Sequence, residues 1–203
     1  VNWSFERLSH GLWQPDLVGG YFADRGLCGA SGNSGLLRFH DDHTGTVAQE
    51  FVDMAFGPRG VRAEVFAFDW RATQFAISRN IDIDGNLVDD GRPGTIVTLD
   101  PFDMSVSPWG LAVDTFEAAL SLPIVEQSLR PDLFDDWRNA KDVDRLTLTQ
   151  CAGATVPAFY GGQASIDNFA LNDVEVYLSF VAQVWAFGQQ HPGEPAPHLR
   201  TQR

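Results

Sequence analysis

The 203-residue chain carries 27 Asp and Glu against 14 Lys and Arg, a formal charge of −13, and is 44% hydrophobic and 20% charged. That mixture belongs to a globular protein large enough to bury its own core and rules out a disordered, collagenous or low-complexity chain. The acidity makes nucleic acid and anionic membrane poor direct partners, because both repel such a surface at long range, whereas a basic partner is attracted.

From Val1 to Ser34, Trp3, Phe5, Leu8 and Leu12 recur at roughly helical spacing and a run of glycines follows, which predicts a short helix and then a Gly-rich loop. Gly35 to Phe39 reads as a brief strand. Val47, Phe51, Met54 and Ala55 then share one helical face, with Thr44 or Thr46 as N-cap and Gly57-Pro58 as the stop. Arg62 to Trp70 and Arg71 to Ile83 alternate apolar and polar residues, so they predict antiparallel strands meeting near Asp69 to Ala72. An acidic turn leads to a strand over Thr95 to Leu99. Past residue 110 the spacing becomes helical, cut by Pro123 and Pro131, and Leu146 to Cys151 and Val156 to Tyr160 look extended. Asn172 or Asp173 caps a last helix that ends at Gly188, and the Pro-rich tail from His191 is expected to be loose. The expected architecture is α+β: an antiparallel meander flanked by helices, with a C-terminal helix on the core.

Chemistry is sparse along this chain. Gly29 to Gly35 is glycine-rich but lacks both the P-loop ending and the dinucleotide-binding spacing. His40-Asp41-Asp42-His43 invites a metal or general-base reading, yet no third ligand is near, and a polar strand-to-helix turn explains it better. Asn80-Ile-Asp82-Ile-Asp84-Gly85 opens like a calcium loop, but the twelfth position of that register is Gly91 in place of a bidentate Glu. Cys28 and Cys151 match no zinc or redox spacing, lie beside no evident His, and read as small buried apolar residues in a reducing compartment. No run approaches the roughly 18 apolar residues of a membrane span, and Val1 to Arg7 lacks the order of a secretory signal, so a cytoplasmic location is expected. No cofactor, no metal and no enzymatic activity are expected; absence of a catalytic constellation favours a binding role.

Three segments carry a resemblance. Gly35-Leu-Leu-Arg-Phe-His40, then Phe66-Ala-Phe-Asp-Trp70-Arg-Ala-Thr-Gln-Phe75-Ala, and last the run from Val156 through Gly161-Gly162, Asn168 and Asp173 to Tyr177 resemble bacterial immunity proteins paired with type VI secretion DNase effectors. Together with Phe134 and Trp137 they span most of residues 35 to 185, while residues 1 to 34 match weakly. The resemblance implies a GAD-like part over residues 1–100 and a part related to the SUKH superfamily over 101–190, forming one compact unit, and a protein that neutralises a toxin by binding it. Trp70, Phe75, Gly161-Gly162 and Asn172 or Asp173 are expected to build the fold rather than touch the toxin.

A DNase needs a basic groove for its substrate, and an acidic surface can occupy or flank that groove. The expected contacts are Asp41 and Asp42, then Asp82, Asp84, Asp89 and Asp90, with the DNase effector itself as partner. The alternative is a SUKH-like scaffold or regulatory module with a partner other than a nuclease.

Overall fold

The computed structural model describes residues 2–88 and 94–194. Its spine is a seven-stranded sheet made of β1 (Phe5–Arg7), β2 (Ala30–Gly32), β3 (Leu37–Phe39), β4 (Ala63–Asp69), β5 (Gln74–Ser78), β6 (Thr95–Asp100) and β7 (Ser105–Pro108). Each strand pairs antiparallel with the next, so the sheet is an unbroken meander. The helices are α1 (Tyr21–Asp24), α2 (Asp42–Ala55), α3 (Phe116–Ala119), α4 (Pro123–Leu129), α5 (Pro131–Lys141) and α6 (Val174–Gln190). A separate hairpin of β8 (Gln150–Ala154) and β9 (Phe169–Asp173) precedes α6.

Alternation along the strands sends side chains to both faces of the sheet, and each face has its own core. On one, Leu37, Phe39, Phe75 and Ile96 meet Phe22, Phe116, Phe134 and Trp137. On the other, Val65, Phe68, Val97 and Leu99 meet Phe51 and Val52 of α2 and Tyr177, Leu178 and Val181 of α6. A bulge between Val65 and Ala67 lets Phe66 and Ala67 both join the first core before Phe68 returns to the second. The helices α2 and α6 lie side by side and run the same way: His43 and Val47 border Asp173 to Glu175 at one end, and Met54 and Ala55 border Trp185 and Ala186 at the other.

Strands β4 and β6 and the breaks before α4 and α5 fall where the residues foretell, with Pro123 and Pro131 each in the first turn of its helix, where a missing N–H costs nothing, while β5 keeps only Gln74–Ser78 of the expected Arg71 to Ile83. Asp173, not Asn172, caps α6 by accepting from the Val176 amide, and the helix runs two residues past Gly188 to Gln190. Trp3 to Leu12 does not form a helix. Trp3 and Phe5 stack at 5.5 Å on one side of the edge strand and cover Gly32, a period of two hidden under the apparent helical spacing. Val156 to Tyr160 is not a strand but ends in a 3-10 turn, and the partner of β8 is β9. Gly161 closes that turn at φ +87°, while any Cβ on Gly162 would collide with the Val156 carbonyl. The sheet extends past residue 100 through β7, and the tail residues 195–203 lie outside the described residues.

Candidate functional site

The step from β3 into α2 holds a connected group of polar side chains. Asp41 is the N-cap of α2, not Thr44 or Thr46: its Oδ1 accepts the Thr44 amide at 2.9 Å, and the Thr44 hydroxyl accepts the Asp41 amide at 3.2 Å in return. His40 is fully enclosed. Its Nε2 faces Gln74 Oε1 at 3.0 Å and its Nδ1 faces Thr44 Oγ1 at 3.2 Å, while the Gln74 amide donates to the Ala72 carbonyl and so keeps its oxygen toward the imidazole. Expecting both histidines in a solvated turn is therefore half right, since only His43 is exposed.

His40 and Arg38 both pack on one ring, Phe68. The imidazole stacks on it at 4.7 Å and the guanidinium sits 4.2 Å from its centroid. Arg38 donates to the carbonyls of Thr147, Gln150 and Asp69, which stitches the segment before β8 to the sheet. Its burial lowers its pKa to about 10, although Cys151 and Asp69 pull the other way. Asp69 itself takes the Arg71 guanidinium at 2.7 Å and the amides of Arg71 and Thr73. Burial also pushes the Cys151 thiol up to about 12, so it stays a protonated, unreactive group. Every one of these groups works for the fold.

Two titrations in this interior oppose one another. Burial lowers the His40 pKa to about 3, partly countered by the Gln74 contact, so below about pH 6.5 the unfolded chain binds a proton that the fold refuses. Stability is then lost at up to about 1.4 kcal/mol per pH unit. Asp100 behaves the opposite way: burial raises its pKa to about 6, partly offset by Arg71, so its contribution is present at pH 4 and lost as pH rises through 6. Between pH 6 and 4 the two cancel in large part. Asp100→Asn should therefore make urea stability fall more steeply on acidification across that window, and equal slopes in the variant and the parent would refute the pairing.

The acidic residues expected to touch a partner have separate fates. Asp41 is only 8% exposed and its carboxylate is spent on the cap, so the expectation that it meets a partner is corrected. Burial works against its charge, yet the Thr44 amide and hydroxyl and the Ser9 hydroxyl hold its pKa below the ordinary range. Asp42 is exposed in the first turn of α2, with its carboxylate against Gly11. Asp82 and Asp84 lie in the turn after β5, which is tied to the far end of α2 by Asn80 donating to the Gly60 carbonyl. A helix of this length separates the two sets by about 20 Å, so the structure does not bring them together. Asp89 and Asp90 lie outside the described residues.

Within that turn Asp82 is an organiser. Its Oδ1 accepts the amides of Asp84 at 2.9 Å and Asn86 at 2.8 Å, and its amide donates to the Asn86 carbonyl. The Asn86 amide, above all, holds its pKa below the usual value, with a small opposing effect of burial. Asp84 points outward. Sequence reasoning missed Ile83 and Leu87, apolar residues left exposed between these charges. Their place in an otherwise polar turn, two residues on either side of Gly85, was the available signal.

Among the described residues no group of His, Cys, Asp and Glu is placed to hold a metal, and no helix is long and apolar enough to cross a membrane. No protein-family model matches the chain, and no curated protein matches it significantly. Among solved structures it is similar to the crystal structure of Atu4351 from Agrobacterium tumefaciens, at 11% identity over 88% of this chain and 85% of that one, with a TM-score of 0.58. Identity that low speaks for a common fold alone. The fold class is thus an α+β antiparallel meander with helices on both faces.

Proposed function

We propose that this chain is an immunity protein that binds a cognate type VI secretion DNase and neutralises it stoichiometrically. The observation that carries the proposal is the partition of charge. Arg38 and Arg71 are committed to the interior, and Arg25, Arg138 and Arg145 each sit against a carboxylate, while Asp42, Asp53, Asp84, Asp103 and Asp136 stand exposed. Arg7, Arg59, Arg62, Arg79, Arg130 and Lys141 are exposed as well, but the net charge of −13 keeps the surface acidic on balance, which suits the basic groove by which a DNase holds its phosphate backbone. The resemblance of residues 35 to 185 to immunity proteins points the same way.

Co-purification with the product of the adjacent gene, followed by DNA degradation with and without this chain, tests the proposal; a nuclease equally active in both cases would refute it. Because Asp82 holds its turn together, charge reversal belongs on its neighbours. Asp84→Lys with Asp89→Lys and Asp90→Lys should slow association by roughly tenfold to a hundredfold at low salt and flatten its salt dependence. Unchanged rates in stopped-flow measurements would remove these loops from the encounter.

A further inference from the structure

Ile83 is 73% exposed, the highest value among the large apolar residues described, and Leu87 is 53% exposed four positions later. Neither dangles. Leu87 lies over Gly60, where an added Cβ would come within 3.0 Å of its Cδ1, and Ile83 lies over Gly110, where the corresponding distance is 3.2 Å. Between them the chain is held by the Asp82 carboxylate, the bridge of Ile81 to Leu87, and the Val88 amide donating to Asn80. The two side chains are thus presented on a ledge already fixed in place, so a partner that covers them orders little additional chain.

A few side chains buried in a desolvated pocket carry most of the energy of a protein interface, with charges at the rim giving speed and selectivity and the buried anchors giving residence time. We infer that Ile83 and Leu87 are the apolar anchors of the toxin-binding surface, and that they enter an apolar recess on the nuclease bordered by its Arg and Lys residues. The inference rests on the immunity reading. Charge complementarity selects the occupant: Asp82 and Asp84 flank Ile83 and the chain as a whole carries a charge of −13, so a recess edged by positive charge suits the anchors.

The test is calorimetric titration of the catalytically inactivated nuclease encoded beside this chain into the full chain, into Ile83→Ser with Leu87→Ser, and into Leu171→Ser with Val176→Ser. The last pair removes comparably exposed apolar residues from β9 and α6. The first pair should weaken binding about fiftyfold with the salt dependence kept, and Ile83→Ala alone about fivefold, while the second pair changes affinity less than about twofold. Thermal melting of each variant by circular dichroism confirms that it is folded. Equal affinity for Ile83→Ser with Leu87→Ser and the parent overturns the anchors but leaves the immunity reading standing. Failure of the parent to bind and protect DNA overturns both. A parent dimer that the same pair dissolves, with nuclease binding intact, assigns the patch to a second copy of this chain and overturns the inference.

Discussion

Replacing Trp70 with alanine should cost about 4 kcal/mol, a large share of what holds a domain of this size folded. Trp70 is fully buried at the turn after β4, and its ring meets Phe134, Trp137 and Phe169 at 5.4, 5.8 and 5.6 Å. Its indole N–H donates to the Leu129 carbonyl at the end of α4, its own carbonyl accepts the Ala152 amide of β8, and its amide donates to Leu36. One residue therefore joins the sheet to α4, α5 and the second hairpin. Truncation removes one of the two tryptophans fully buried in this core and leaves the Leu129 carbonyl without its donor. Trp70→Phe should recover the ring contacts but not the hydrogen bond, and so lose about 2 kcal/mol. Urea unfolding followed by far-ultraviolet dichroism measures both, and a loss below about 1 kcal/mol for Trp70→Ala would contradict the role given to it.

Arg38→Met should cost about 3 kcal/mol, for a different reason. Methionine matches the length of the arginine stem and keeps the contact with Phe68, but three backbone carbonyls, those of Thr147, Gln150 and Asp69, lose their donor. Part of that loss is offset because a buried charge disappears as well. Arg38→Lys should restore less than half, since one ammonium cannot span carbonyls reached from two guanidinium nitrogens. Hydrogen exchange separates this effect from a general loosening. Amides of residues 147–152 should exchange faster in Arg38→Met than those of β5, and uniform acceleration would show that the guanidinium is not a local stitch.

What could be read along the chain was what repeats at short range. Phe75 and Ile77 fall in one core and Ala76 in the other, the period of two that marks a strand, although the bulge parts Val65 from Ala67. The breaks at Pro123 and Pro131 were equally legible, because a proline acts on its own backbone. The pairing of β9 with β8 was not, since Phe169 to Asp173 is short and depends on a partner across the intervening turn. At the site, Asp41 and Asp42 are neighbours of the same chemistry, and composition treats them alike. The structure buries one and exposes the other because Thr44 stands three residues after Asp41, a capping spacing that the residues do carry and that outranks the threonines as start signals. His40 looked solvated because its enclosing partner Gln74 lies 34 positions away.

The alignment of α2 with α6 has an electrostatic result. Two parallel helices add their peptide dipoles, so the positive ends coincide beside Asp42, Asp173 and Glu175, where those carboxylates are partly neutralised by the helices themselves. The negative ends coincide at the opposite pole, and neither helix has a basic residue in its last turn to oppose them. That pole is the one to which Asn80 fastens the Asp82 turn, so the two helix ends add their negative partial charge to that of its carboxylates.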